Sequence, residues 1–506
     1  MPRNRRREKQ KERQRGGGID LIGEDLLQKI LSRLPALSFA SAACVSRSWN
    51  VVCQRVICRP KLSSAISLNP EQKVAVKEVL DKVLSEPIRP HFAIACIGPS
   101  FCLRLTHQLI TEKLGSRTPV ITCESSGIIG RDALTEEFQE LQWDIATDED
   151  HGAEIHNLTH GITLTVGYIP GLTVEAIPLL QSIEAPRALR VAMVDNFVMD
   201  IREYTASVSG CTSPAGIILF EGWGSDVKPI IDKLDYAMSM ETSIVGGQYR
   251  QFLYRRRGDN RNPTRSAKYI AAAVALLFVR DRNKPHGIGE TQFHVALSTG
   301  LSPIGLTHKA VSVREKQDGC STWLTARREG LHDILDGESM LNYINDEIGD
   351  RIEYPVLYIG VMKRRKCSIG SEKARWVTSL AFHEVTGGDE EYLFVNGVGI
   401  KTGDSFHFYQ SDSSTALSFC QHVSENLRRL KEDCNHKNCH HVRTAAASGD
   451  VKEVFGGIIF SCCGRGESFF GRSNVDSSPF LENFPGVPLA GTFCGGEIGR
   501  ASLRLL

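Results

Sequence analysis

The stretch GGIIFSCCGRGESFFG, residues 456–471, sets an apolar run against two adjacent cysteines and a glycine-flanked arginine. A short continuous apolar segment bounded by glycine reads as a buried β-strand. Alternation along that strand sends Ile458, Phe460 and Cys462 to one face and Ile459, Ser461 and Cys463 to the other, provided the pleat continues. Only one cysteine can then line a given pocket. Cys463 shares its face with Ser461 and leads into Gly464, Arg465 and Gly466, so it is expected on the pocket side. There the glycines let backbone approach a ligand, and Arg465 offers a forked donor to a carboxylate. The competing reading keeps both cysteines as packing residues and the glycines as a simple turn, since buried free cysteine is common.

Working outward, HFAIACIG (91–98), TPVITCESSGIIG (118–130), GITLTVGYIPG (161–171), RVAMVDNFV (190–198) and AGIILFEGWGSD (215–226) repeat the strand signal. Helical stretches such as EQKVAVKEVLDKVL (71–84) separate them, which gives an α+β or mixed α/β body. The run IAAAVALLFV, Ile270 to Val279, is about half the length of a membrane-spanning helix and is expected as a buried helix. No membrane association is expected. The basic segment YRQFLYRRRGDNRNPTR, 249–265, reads as an exposed solvated loop. It lacks the aromatic platform or zinc finger of a nucleic-acid reader, so nucleic acid is not an expected partner. A domain junction is placed near Leu301. No period of 20 to 50 residues recurs, which argues against a repeat solenoid.

With 506 residues, 41% apolar and 24% charged, the chain is too long for one core. Its net charge of +1 conceals a basic start: MPRNRRREKQKERQR carries eight Lys or Arg against two Glu. Such an arm suits nuclear import or anion binding, or is an unselected extension. No apolar segment of signal-peptide type follows it, so an intracellular protein of nucleus and cytoplasm is expected. Fifteen cysteines without framework spacing fit a reducing compartment.

From Ile19 the sequence IDLIGEDLLQKILSRLPALSFASAACVSRSWNVVC repeats apolar Leu26, Ile30 and Leu34 at i, i+4 and i+8, with Leu27 and Leu31 in a second row. Pro35 stops this helix, and Ser38 is expected to cap a second one carrying Ala42, Val45, Trp49 and Val52 on one face. So short a pair cannot bury both stripes, so part of this apolar surface should meet another domain or a partner. The order Ile22, Leu26-Leu27, Ile30-Leu31, Leu34-Pro35 and CVSRSWN, with Val45 and Trp49, resembles an F-box. It departs from the usual pattern where Ile22-Gly23 stands in place of a leading Leu-Pro. The resemblance implies that Ile22, Leu26, Leu27, Ile30, Leu31, Leu34, Pro35, Val45 and Trp49 dock on a Skp-type adaptor and through it on a cullin scaffold.

The blocks FVNGVGIKTGDSFHFYQSD (394–412), residues 456–476 and FPGVPLAGTFCGGEIGR (484–500) resemble the C-terminal half of a FIST domain. VITCESSGIIG (120–130) and GLSPIG (300–305) are similar to its N-terminal half. The resemblance implies a multidomain chain: a basic disordered tail over 1–18, a small all-α F-box over 19–63, and α+β FIST regions, N-like over 64–300 and C-like over 301–506. It also implies a noncatalytic substrate-recognition subunit of an SCF-type ubiquitin ligase. In that reading the FIST region binds a protein substrate or a small ligand, through Cys463, Gly464, Arg465 and Gly466, and no cofactor is needed. The absence of a P-loop, a GxSxG elbow and an HExxH motif agrees with it. Two alternatives stay open: a small-molecule sensor, or an enzyme using Cys462 or Cys463 with a distant base such as His383 or His407. The cluster CNHKNCHH, 434–441, lacks paired zinc knuckles and reads as a polar loop after a helix.

Overall fold

A computed structural model describes residues 23–143, 159–182, 187–222, 227–259, 269–285, 288–316, 321–349, 356–441 and 452–500. The basic tail and Ile22 lie outside them.

Three short helices come first: α1 (Glu24–Leu31), α2 (Ala36–Ala43) and α3 (Arg47–Ile57). α1 ends at Leu31 with Ser32 as its C-cap, short of Pro35, so Leu34 of the expected stripe lies in the turn that leads to α2. The second expected helix is instead divided at Cys44–Ser46, and Ser46, not Ser38, caps α3 by accepting the Trp49 N–H at 3.2 Å. Leu27, Leu31, Phe39, Ala42, Val52 and Cys53 fill a small core of their own.

The body then runs β1 (Lys61–Ser67), α4 (Gln72–Val83), β2 (Phe92–Ile97), α5 (Leu103–Leu114), β3 (Val120–Glu124), β4 (Gly127–Arg131), β5 (Phe138–Gln142), β6 (Ile162–Tyr168) and β7 (Leu172–Ser182). It continues through α6 (Arg187–Ser209), β8 (Gly216–Gly222), α7 (Val227–Ala237), β9 (Ser243–Tyr249), β10 (Gln251–Arg255) and β11 (Tyr269–Arg280). A second run holds β12 (Leu301–Glu315), β13 (Ser321–Arg328), β14 (Ile334–Leu335), α8 (Gly337–Ile348), β15 (Val356–Cys367), β16 (Arg375–Gly388), β17 (Leu393–Asn396) and β18 (Ser405–Ser411). The chain ends with α9 (Ser413–His441), β19 (Gly457–Cys462), α10 (Glu467–Phe470), α11 (Ser478–Asn483) and β20 (Leu489–Arg500).

These elements make a four-layer sandwich and a barrel. The sheet β1-β6-β2-β3-β10 stacks on the sheet β5-β4-β20-β9-β8-β11-β7, to which β19 adds beside β20. Alternation divides β2 between two cores: Phe92, Ile94 and Cys96 face the other sheet, while Ala93, Ala95 and Ile97 face α4 and α5. β11 does the same on the far side, with Val274, Leu276 and Phe278 between the sheets and Ala273, Ala275, Leu277 and Val279 under α6 and α7. This is why 270–279 is a strand and not the expected helix: a strand buried on both faces shows no alternation. The reverse holds at 190–198, expected as a strand, which lies within the 23-residue α6. Gln251–Arg255 is likewise no loop but a strand paired with β3, and buried Arg255 donates to the carbonyls of Thr111, Gly115 and Thr118.

The order β12-β18-β15-β16-β17-β13 closes through β12–β13 pairing into a barrel, with α8 supplying Met340, Ile344 and Ile348 to its core. Residue 301 is thus where the barrel begins. The expected division there does not separate two contiguous domains, because β20 returns to lie between β4 and β9, pairing Gly491 with Ile129 and Ile498 with Gly246. Lys61 to Ser63, expected within the helical unit, already belong to β1 of the sandwich. Among the described residues no helix is long and apolar enough to cross a membrane.

Candidate functional site

The opening stretch forms the strand expected of it. β19 runs parallel to β20 with Cys462 beside Cys494, and the Cys463 N–H donates to the Cys494 carbonyl at 2.8 Å. β19 ends at Cys462, however, so the pleat does not carry through Cys463. Ser461 is buried and donates to the Asp476 carboxylate, whereas Cys463 is exposed. The two do not share a face. Gln142 donates to the Cys463 carbonyl at 2.9 Å, and the Arg465 N–H closes the turn on the Cys462 carbonyl at 3.0 Å. Gly466 follows with φ +108°, and the Gln142 side chain stands where a Cβ would be, so only glycine fits.

Arg465 does not present its fork to a ligand. It turns inward to Asp476, Nη2 to Oδ1 at 2.8 Å, with both side chains nearly excluded from water. Its Nη1 donates to the Ser298 carbonyl at 2.9 Å, its Nη2 lies 3.2 Å from Cys420 Sγ, and its guanidinium stacks over Phe470 at 5.1 Å. The expected carboxylate-binding role is therefore taken by an internal carboxylate. Arg465 joins the turn to the segment before the barrel and to α9.

What remains at the surface is a thiol pair with an acid beside it. The Cys462 thiol hydrogen-bonds to Cys463, which raises the pKa of Cys462 and lowers that of Cys463, so the exposed sulfur ionises first. Glu497 on β20 reaches solvent, yet the protein crowded around it pushes its carboxyl up to about 8, and neighbouring Cys462 adds to the rise. Tyr358, from the barrel strand β15, has its pKa raised by burial and then by Glu384, Cys462 and Glu497. The barrel and the sandwich thus meet at this turn. Sequence reasoning missed Glu497 and Tyr358; the glycine pair before Glu497 was the available signal, and Tyr358 gave none.

Glu497 makes stability depend on pH. Its pKa is higher in the folded chain than its ordinary 4.5, so the folded state holds the proton more tightly and stability falls as pH rises from about 4.5 to 8. Water around the exposed side chain screens part of this effect. Glu497→Gln should melt with wild type near pH 5 and about 2 °C or more above it near pH 8. Equal melting temperatures at both pH values would contradict the assignment.

Neither expected base is built against the thiols. His383 lies in the barrel, 2.8 Å from both Lys363 Nζ and the Asn396 carbonyl oxygen, and His407 Nε2 lies 2.9 Å from Thr307 Oγ1. The stretch 434–441 is not a loop: its backbone completes α9, and the side chains of 436–441 lie outside the described residues. Among the described residues no group of three His, Cys, Asp or Glu side chains is arranged to hold a metal.

The N-terminal helices carry a different kind of site. Leu27 and Leu31, expected at the adaptor surface, are 8% and 0% exposed in the helical core, and Leu34 and Trp49 pack partly against that core. Pro35 is exposed at the start of α2. The outward apolar residues are Leu26 (53%), Ile30 (43%), Leu37 (77%), Val45 (64%) and Val51 (49%). Leu37 and Val51 were not singled out from sequence because they fall outside the α1 stripe.

Residues 19–61 match the F-box domain model and residues 372–500 the FIST C domain model, the latter running from the barrel strand β16 to β20. An F-box/LRR-repeat protein of Arabidopsis thaliana is 44% identical over 487 residues, which cover 96% of this chain and 88% of that one. The described residues of this chain form a sandwich and a barrel in place of stacked repeats. Uncharacterised proteins of Mycobacterium tuberculosis and Mycobacterium bovis share only short segments, 48% identical over 44 and 49 residues, 9% and 10% of this chain and 12% and 13% of theirs. With its F-box domain, its FIST C domain and a relative alike over nearly its whole length, the chain belongs to the family of F-box proteins that carry a FIST domain.

Proposed function

We propose that the chain is the noncatalytic substrate-recognition subunit of an SCF-type cullin-RING ubiquitin ligase. The F-box domain binds a Skp-type adaptor, and the adaptor joins it to the cullin. The sandwich and barrel hold the protein substrate, which is marked for proteasomal degradation, and residues 64–300 act as the FIST N-like half. Such a subunit works by raising the effective concentration of substrate lysines near the conjugating enzyme, so it requires no acid, base or nucleophile of its own. One observation carries the reading: Leu26, Ile30, Leu37 and Val51 on the three helices, and Val45 in the break between α2 and α3, stand outward from a core that is already filled. Five large apolar side chains so placed within 26 residues are a surface for a partner rather than scattered exposure. Co-purification tests it. The tagged full chain should bring down adaptor and cullin together, and recovery of neither would overturn the assignment.

The exposed Cys463, with Cys462 and Glu497, supports a second role for the same molecule, capture of a small ligand where the barrel meets the sandwich. The basic tail supports a nuclear as well as a cytoplasmic location. Eight cations in fifteen positions are dense enough for an import receptor. Deleting residues 2–15 should shift a fluorescent fusion toward the cytoplasm, and an unchanged distribution would remove that role from the tail.

A further inference from the structure

Helix α1 divides its circumference among three surfaces. At 100° per residue Leu26 and Ile30 form the outward apolar row, and Leu27 and Leu31 the core row. The third side, with Asp25, Gln28, Lys29 and Ser32, looks back toward the body across a cleft of about 810 Å³. Its far wall is formed by Lys61 of β1, the segment Glu86–Arg89, and Tyr168 of β6; Val56, Ile57 and Arg59 close its end.

The charge in this cleft is unbalanced. Lys29, Arg33, Arg59, Lys61 and Arg89 line it against only two carboxylates, Asp25 and Glu86. Glu86 is already paired with Lys61 at 2.6 Å. Among the described residues Lys29, Arg33, Arg59 and Arg89 have no ion-pair partner, so four cations converge with one carboxylate to offset them. Like charges gathered in a concave wall raise the local potential and concentrate a counter-ion there. Three of the cations are guanidinium groups, whose planar forks match phosphate oxygens two at a time. The volume lies in the range of small-ligand sites.

We propose that this cleft binds a small, multiply phosphorylated anion. The anion bridges Lys29 and Arg33 on the F-box helices to Arg89 on the sandwich, with Arg59 at the joint between them. In the described residues that joint is otherwise light, with the Ala36 N–H donating to the Leu84 carbonyl at 3.2 Å. A bound anion therefore fixes the angle between the adaptor-binding helices and the body. The outward row on α1 lies on a different side of the helix, so adaptor and anion do not compete.

Titration calorimetry of the full chain with inorganic tripolyphosphate tests this. Wild type should bind it, more weakly as salt rises from about 0.05 to 0.2 M. Arg33→Ala/Arg59→Ala/Arg89→Ala should bind it about tenfold more weakly or worse, with an unchanged melting temperature because all three side chains are exposed. The basic tail is common to both proteins, so it cancels from the comparison. Arg364→Ala/Lys366→Ala, on the barrel surface, should leave binding unchanged. Single Arg89→Ala provides the same comparison if the triple variant melts early. No heat with wild type, or equal binding by wild type and the cleft variants, would overturn the proposal.

Discussion

Replacing Asp476 with alanine should destabilise the body by about 3–5 kcal/mol, the usual cost of leaving one partner of a buried ion pair alone. Arg465 and Asp476 side chains are 13% and 8% exposed, so neither charge can recover its hydration when the other is removed. The Ser461 hydroxyl, which donates to the same carboxylate, would lose its acceptor too. For a unit of this size the loss corresponds to a melting temperature lower by about 10 °C. Arg465→Met/Asp476→Leu should recover most of it, because an apolar pair of similar volume carries no desolvation cost. A further consequence concerns the turn. If Arg465 served an external carboxylate, Arg465→Ala would spare stability and remove only ligand capture. The network with Asp476, Ser298 and Cys420 predicts the opposite order, with stability lost first. A single-alanine Asp476 variant that melts with wild type would contradict this account of the turn.

Much of the architecture was legible along the chain, and each misreading has its own physical cause. Strands β2, β3, β6 and β8 ended in glycine or polar residues after short apolar runs, and each was found where the pattern put it. β11 was taken for a helix because both of its faces are buried, which removes the alternation that separates strand from helix. Nine residues around Val191–Val198 read as a strand because the window was shorter than the helix that contains them. Two features were not legible at all. The insertion of β20 between β4 and β9 joins residues more than 240 positions apart, and no local signal encodes it. The direction of Arg465 depends on Asp476, Ser298 and Cys420 arriving from three other segments, so its neighbours in sequence could not reveal that it turns inward. The helical stripe shows the same limit on a smaller scale. Leu26-Leu27 and Ile30-Leu31 announced two apolar rows, but only the packing of α2 and α3 decides which row is core and which is surface.

That decision leads to the second large effect. Leu26→Asp/Ile30→Asp should abolish adaptor binding while the chain stays folded, since both side chains already face water and a carboxylate there needs no partner. Leu27→Asp/Leu31→Asp should instead unfold the three helices, because it places charges where the side chains are 8% and 0% exposed. Loss of binding in the core variant would therefore say nothing about the surface. Leu26 and Ile30 still expose about half of their surface, so covering them with a partner contributes about 1.5–3 kcal/mol, and burying two unpartnered carboxylates in their place costs more, so the surface variant should lose roughly a hundredfold or more in affinity. The direct measurement is the dissociation constant of purified Skp-type adaptor for the full chain, wild type against Leu26→Asp/Ile30→Asp, with a melting curve of each. The account predicts tight binding to wild type and at least about a hundredfold weaker binding to a variant with the same melting curve. Affinity within about threefold of wild type for that variant would contradict it.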